Sequence, residues 1–248
     1  MKFLYAYASP YKFYELASRL VPVFAVLAVL FVVAGLYVGF FLAPTDFQQG
    51  EGYRIIFLHV PVSWMSMLVY LTMGFWSAIC LIFNSRMAAL LAAALAPTGA
   101  LFTVLSLVTG ALWGQPMWGT WWVWDARLTS ELILLFLYIG FLALRSAIEE
   151  PKRADQAASV LALLGTINIP IIYFSVQWWN TLHQGASVSL VQAPAMATVM
   201  LTGMLLMVAA AWSYTLAVVL SRTKRLIVAR EAHAAWVKNL GGKNNALV

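Results

Sequence analysis

The sequence predicts an all-α integral membrane protein with six transmembrane helices and a tryptophan-rich segment on the outer face, between helices three and four. Of its 248 residues, 63% are hydrophobic and 10% are charged, whereas a soluble domain carries about 25% charged residues. The charged residues fall in short clusters that separate uncharged runs long enough to cross a bilayer. Because the chain shows no internal repeat or linker, we expect one six-helix membrane domain over residues 1–248.

The first transmembrane helix is predicted from an uncharged run that follows an aromatic and basic N-terminus. We expect residues 1–19 to form a short amphipathic helix on the cytoplasmic membrane surface. Ser9 and Pro10 are typical of an N-cap followed by proline at the first helical position. Residues 20–45 then form an uncharged run of 26 residues, which is too long for the apolar core of a signal peptide and long enough for helix one.

The second helix is predicted from the uncharged run 55–85, which follows a polar loop over residues 46–54. His59 and Pro61 lie near its start. Proline disfavours helical geometry in the residue before it and is accepted in a first turn. We therefore expect helix two to start near Pro61, with His59 at its mouth; the alternative is a kinked helix that begins at Ile55.

Helix three is predicted over residues 87–112, after a tight turn at Arg86 and with a kink at residues 97–99. Residues 113–130 form the tryptophan-rich segment, which holds five of the eleven tryptophans of the chain. An indole keeps its ring apolar and its N–H hydrated, so this composition suits the boundary between membrane and water. There the rings could form a flat wall for a large planar ligand.

The remaining spans are separated by one charged loop and one outer loop. Helix four is predicted over residues 127–144, and the charged loop follows over 145–155. Helix five is predicted over 157–178 and helix six over 195–220. Residues 222–248 are expected to form a basic, amphipathic cytoplasmic tail.

The lysine and arginine residues predict that both termini lie in the cytoplasm. Thirteen of the 15 fall in the N-terminal segment, at Arg86, in the loop 145–155 and in the tail. Only Arg54 and Arg127 fall on the other face. The positive-inside rule therefore places His59, the tryptophan-rich segment and His183 together on the outer face. The net charge of +6 is explained by this asymmetry and by anionic lipid, so we expect a lipid bilayer and no nucleic acid as partner.

The residue types on the outer face match what a heme requires. Two neutral imidazoles can bind a metal, but a bare transition metal needs a third or fourth ligand. A heme needs two axial ligands, flat apolar contact and positive charge near its propionates. The candidate site comprises His59 and His183 as iron ligands, with Trp113, Trp118, Trp121, Trp122, Trp124, Asp125, Arg54 and Arg127 around them.

Two simpler interpretations of these residues remain open. Tryptophans at this depth can form an interfacial aromatic belt, which explains their position but not the glycines between them or the pair Asp125 and Arg127. Asp125 is also a candidate N-cap of helix four. Arg54 can equally be an interfacial anchor.

The residues from Trp118 to Thr129, with the sequence Trp-Gly-Thr-Trp-Trp-Val-Trp-Asp-Ala-Arg-Leu-Thr, resemble the WWD motif of heme-handling proteins. With the segments 53–61 and 178–185, they make the chain similar over nearly its whole length to the heme exporter C family of bacterial cytochrome c maturation. The resemblance implies a heme b on the periplasmic face of the inner membrane. His59 and His183 would be its axial ligands, and residues 118–125 would cover it.

The resemblance also implies a role and a set of partners. The protein would present heme to a membrane-anchored heme chaperone. It would work beside the membrane and ATPase subunits of an ABC-type transporter and a small single-span membrane subunit. The chain shows no set of residues typical of hydrolytic or redox catalysis, so we expect a heme-transfer factor and not an enzyme.

Two other functions remain as alternatives. A heme-b electron-transfer subunit of a quinone-linked enzyme is one, although such subunits hold their ligands inside the helix bundle. A solute permease is the other, although transport folds usually show inverted repeats and polar residues at the membrane midplane.

Overall fold

The computed structural model describes residues 9–179, 181, 183, 188, 194 and 196–244. Within them the regular elements are helical, and six segments are long and apolar enough to cross a membrane. The chain is therefore an all-α, multi-pass membrane protein, as predicted. The helices are α1 (Pro10–Tyr37), α2 (Ile56–Phe83), α3 (Arg86–Trp118), α4 (Ala126–Ala147), α5 (Pro151–Gly165), α6 (Asn168–Trp178), α7 (Thr198–Arg230) and α8 (Ala235–Asn244). The pair α5 and α6 forms one span.

Helix α1 is continuous, and the prediction of a separate surface helix over residues 1–19 is wrong for residues 10–19. Pro10 is the first helical residue after Ser9, as predicted, but the helix continues from there to Tyr37 and into a π-helical turn, Val38–Leu42. No residue between Pro10 and the apolar run breaks the helix, so one helix includes residues 10–19 and continues into the apolar run. Residues 1–8 lie outside the described residues.

Helix α2 begins earlier than predicted. It starts at Ile56, after a 3-10 helix, Glu51–Ile55, and Pro61 lies in its second turn. The start near Pro61 is therefore wrong, and the alternative of a helix that begins near Ile55 is correct. The 3-10 turn supplies the helix nucleus, and a proline within a membrane helix is tolerated when neighbouring groups compensate for its missing N–H. His59 consequently lies in the first turn of α2.

Helix α3 ends later than predicted, at Trp118, so the first third of the tryptophan-rich segment is helical. Pro116 lies inside the helix without ending it. Gly119 ends it, because φ of +74° places this residue in the left-handed region, where its N–H bonds to the carbonyl of Gln115. Helix α4 then starts at Ala126 after Asp125, whose Oδ1 accepts a hydrogen bond from the N–H of Leu128 at 2.8 Å. This N-cap confirms the prediction for Asp125.

The end of the bundle remote from the tryptophan-rich segment, here called the charged end, is more helical than predicted. The loop expected over 145–155 shrinks to residues 148–150, and Asp155 lies in α5. Helix α7 continues to Arg230, so the predicted basic tail starts as part of the bundle. At this end, buried Asp155 forms an ion cluster in which it pairs with both Arg145 and Arg230. Residues 245–248 lie outside the described residues.

The packing of the helices leaves the opposite end of the bundle, here called the tryptophan end, open for a site. Helix α1 packs mainly on α7, while α2 packs on α3, α5 and α7. The main core cluster joins α2 to α4, where Tyr138 donates a hydrogen bond to the carbonyl of Ser66 at 2.8 Å. This core holds α2, α3 and α4 together.

Candidate functional site

A cavity of ≈ 410 Å³ lies at the tryptophan end. Its lining includes five of the ten predicted site residues: His59, His183, Trp113, Trp118 and Arg127. Apolar and flexible side chains complete much of the wall: Ile56, Val60, Trp64, Met67, Met117, Val176, Val188, Met196 and Met204. A mostly apolar cavity with a few convergent polar groups is typical of sites for small molecules and cofactors. We call it the histidine cavity.

The ring of His59 is oriented by a threonine one helix away. Its Nδ1 lies 2.9 Å from Oγ1 of Thr109. That hydroxyl lies 2.6 Å from the carbonyl of Leu105, which can only accept, so the hydroxyl proton is used there. An N–H at Nδ1 of His59 would then donate to the Thr109 oxygen and leave the lone pair of Nε2 free, which is the tautomer that a metal ligand at Nε2 needs.

Two further contacts hold the His59 ring in place. Trp113 packs edge-on against it, with ring centroids 5.7 Å apart, and the indole N–H of Trp113 donates to Oε1 of Gln49 at 2.9 Å. Gly110 leaves room for the ring, because a Cβ at that position would lie 3.1 Å from Cε1 of His59.

The ring of His183 has a similar neighbourhood with one additional charge. Its Nδ1 lies 3.4 Å from Oγ1 of Thr181 and 3.7 Å from Oδ2 of Asp125. Thr181 donates its hydroxyl proton to Asp125 and accepts from the backbone N–H of His183 at 3.1 Å. Trp118 covers the ring, with centroids 5.4 Å apart.

His183 is a neutral imidazole at neutral pH. Burial lowers its pKa below the usual value, the positive charge of Arg127 lowers it further, and Asp125 acts in the opposite direction. The side chain is 17% exposed. A neutral ring whose Nδ1 faces Thr181 and Asp125 retains Nε2 for a ligand.

Arg127 brings the positive charge into the histidine cavity. One guanidinium nitrogen, Nη1, donates to the carbonyl of Ile172 at 2.7 Å. Among the ion pairs of the described residues, none involves Arg127. Since a guanidinium has five N–H donors, donors remain for an anionic group in the cavity.

Arg54 lies elsewhere. It pairs with Glu51 and donates to the carbonyl of Ala43 at 3.2 Å, at the end of the π-helical turn. It is not among the cavity-lining residues. Arg54 thus binds the last carbonyls of the first span, where a cation is favourable.

The other predicted residues surround the histidine cavity without lining it. Trp121 and Trp124 are 58% and 78% exposed, and Trp122 packs edge-on against Trp124 with centroids 5.4 Å apart. Asp125 contacts two described residues at the cavity, Thr181 and His183. Trp121 and Trp122 share a small neighbouring pocket with Trp118 and His183, Trp124 packs outside Trp122, and Asp125 lies behind one histidine.

Sequence reasoning missed the residues that surround the imidazoles: Thr109, Thr181, Gln49 and Gly110. Thr109 lies one helical turn before Trp113, and Thr181 lies two residues before His183. Those spacings carry a signal, but threonine in a membrane helix is more often explained by helix packing. Asn180, Leu182, Gln184 and Gly185 of the predicted segment lie outside the described residues. Within the part of the chain that is described, no three His, Cys, Asp or Glu side chains are grouped to hold a metal ion.

Comparisons with known proteins identify one family. The family model described as heme exporter protein C matches residues 3–238. The chain is 46% identical over 244 residues to heme exporter protein C of Escherichia coli K12, which covers 96% of both chains. It is 44% identical over 239 residues to that of Haemophilus influenzae, covering 96% of this chain and 97% of the relative. It is 52% identical over 181 residues to that of Bradyrhizobium diazoefficiens, covering 73% and 68%.

Proposed function

Because the chain belongs to the heme exporter protein C family, we propose that it binds heme b in the histidine cavity and presents it to a membrane-anchored heme chaperone. The cavity lies on the periplasmic face of the bacterial inner membrane, with both termini in the cytoplasm. The protein acts as a heme-transfer factor in the biogenesis of c-type cytochromes and catalyses no reaction itself.

The observation that carries this proposal is that His59 and His183 line one cavity, each with Nδ1 directed at a threonine hydroxyl. This arrangement frees two Nε2 atoms for one iron. A heme iron takes two axial protein ligands, and its porphyrin supplies the other four. Two imidazoles from separate parts of the chain are therefore a complete ligand set for heme and an incomplete one for a bare metal ion.

The remaining lining suits the porphyrin. Trp113 and Trp118 provide flat apolar surfaces next to the two imidazoles. Arg127 provides guanidinium donors for a propionate, since arginine binds carboxylates through two parallel hydrogen bonds. Trp121, Trp122 and Trp124 would cover the heme edge from the rim, and Asp125 would orient His183.

The partners follow from the family. We propose that the chain assembles with the membrane and ATPase subunits of an ABC-type transporter and with a small single-span subunit. The position of the cavity at one end of the bundle supports the transfer of heme to the chaperone, because a chaperone domain outside the membrane can reach a ligand held at the rim.

The experiment compares three histidine variants purified from cells that make heme. His59→Ala and His183→Ala should each lower the heme that co-purifies and stop the loading of the chaperone. His233→Ala is the matched control, because His233 is exposed and lies beyond the end of α7; it should behave as the wild type. Normal heme content and normal chaperone loading in both cavity variants would refute the proposal.

A further inference from the structure

The two imidazoles of the histidine cavity have the same kinds of neighbour except for one carboxylate, although Nδ1 lies 2.9 Å from the threonine oxygen at His59 and 3.4 Å from it at His183. Each ring packs against one tryptophan, and each Nδ1 faces one threonine hydroxyl. His183 alone also has an anion near Nδ1, at 3.7 Å in Asp125.

The hydrogen bonds of the two threonines reveal the difference. The acceptors next to the Thr109 hydroxyl are neutral backbone carbonyls, of which that of Leu105 lies 2.6 Å away. The proton of the Thr181 hydroxyl goes to the carboxylate of Asp125. A hydroxyl that donates to an anion becomes a better acceptor through the polarisation of successive hydrogen bonds.

Asp125 is held firmly in this position. Its Oδ1 caps α4 by accepting from the N–H of Leu128, while Oδ2 binds Thr181, and its side chain is 8% exposed. A fixed carboxylate behind the ring N–H raises the basicity of a ligating imidazole, which strengthens the bond from its other nitrogen to a metal.

We infer that the two axial ligands are unequal: Asp125 and Thr181 make His183 the stronger ligand, and His59 is the ligand that an incoming imidazole displaces first. This inference rests on the proposed heme site. It gives the hand-over an order, in which heme remains bound to His183 while the position next to His59 opens. Asp125 and Thr181 are positioning residues, since they act on the iron only through His183.

The test uses a matched pair of substitutions that change no charge, Thr181→Val and Thr109→Val, which each remove one hydroxyl behind one imidazole. A third substitution, Asp125→Asn, removes the negative charge of the carboxylate while keeping an oxygen that can cap α4. The measurements on the full chain with bound heme are the midpoint potential, the rate of displacement by added imidazole and the melting temperature. A weaker donor to ferric iron raises the midpoint potential.

We expect Thr181→Val and Asp125→Asn to raise the midpoint potential more than Thr109→Val does, with melting temperatures close to that of the wild type. We expect heme affinity to fall about tenfold in Asp125→Asn and less in Thr109→Val, and His183→Ala to lose more heme than His59→Ala. Complete heme loss in Asp125→Asn with retention in Thr109→Val supports the same order. Equal potential shifts in the two valine variants, or greater heme loss in His59→Ala, would overturn it. A wild-type protein that binds no heme would instead refute the proposed function.

Discussion

His59 and His183 are separated by more than a hundred residues, and their joint use depends on the small groups around each ring. Oγ1 of Thr109 lies 2.9 Å from Nδ1 of His59, and Gly110 leaves the space in which the ring lies. At the scale of single residues, the addition of one methyl group next to His59 tests whether heme binding depends on the position of the imidazole.

Gly110→Ala should lower heme occupancy several-fold, because the new Cβ would lie 3.1 Å from Cε1 of His59 and displace the ring. The control is Gly140→Ala, whose Cβ would lie at the same 3.1 Å from Cδ2 of Leu161, away from the cavity lining. Heme absorbance per protein measures the effect. If Gly110→Ala binds as much heme as Gly140→Ala does, the space left by Gly110 is unimportant for the site.

Arg127→Gln should weaken heme binding by about 2 kcal/mol, or about thirtyfold, which is typical of a lost hydrogen bond to a charged group. The control is Arg222→Gln, since Arg222 is also partly buried and bonds to a neighbouring helix, with Nη1 2.9 Å from Oγ1 of Thr98. Titration of the heme-free protein with heme measures both affinities. An Arg127→Gln affinity equal to that of Arg222→Gln would exclude a propionate contact.

The sequence predicted the residue types of the site but could not distinguish between its two outer-face arginines. Arg54 and Arg127 have the same charge and are both close to apolar runs. The structure separates them because the carbonyl of Ala43 and the carboxylate of Glu51 bind Arg54, while Arg127 lines the histidine cavity. Those partners depend on how α1 ends, which the local sequence does not determine.

The six membrane spans of the described residues were predicted in the right number and order, but several helix limits were wrong. Pro61 was taken to mark the start of helix two, yet it lies inside α2, and Pro116 lies inside α3. Backbone groups near a membrane are costly to leave unpaired, so a helix continues past a proline until a residue such as Gly119 can end it. As a result, α3 carries both Trp113 and Trp118 on one rigid element.

The ion cluster at the charged end predicts a strong effect on stability. Asp155→Asn should lower the free energy of unfolding by on the order of 3 kcal/mol, because Arg145 and Arg230 would lose the buried carboxylate that they share. Glu150→Gln is the control, since the Glu150 and Arg153 side chains are 53% and 78% exposed, and exposed pairs contribute little.

Thermal unfolding in detergent measures both variants of the ion cluster. We expect a clear fall in melting temperature for Asp155→Asn, with normal heme content in the protein that remains folded. Equal melting temperatures for Asp155→Asn and Glu150→Gln would show that the cluster does not hold α4, α5 and α7 together.

At the scale of the whole molecule, the distribution of lysine and arginine predicts the orientation in the membrane. Single cysteines at Phe47 and Glu149, introduced with Cys80→Ala, report on the two ends, because both positions are exposed. A thiol reagent that cannot cross the inner membrane should label Phe47→Cys in intact cells and Glu149→Cys only after the membrane is broken. The reverse labelling pattern would place the histidine cavity in the cytoplasm and contradict the proposed export function.

The central claim of the account is that His59 and His183 bind the same heme iron. Electron paramagnetic resonance of the ferric protein tests it most directly, since it distinguishes low-spin iron with two axial imidazoles from high-spin iron with fewer strong ligands. We expect a low-spin signal in the wild type and a high-spin signal in whatever heme remains in His59→Ala and in His183→Ala. An unchanged low-spin signal in either variant would contradict the claim.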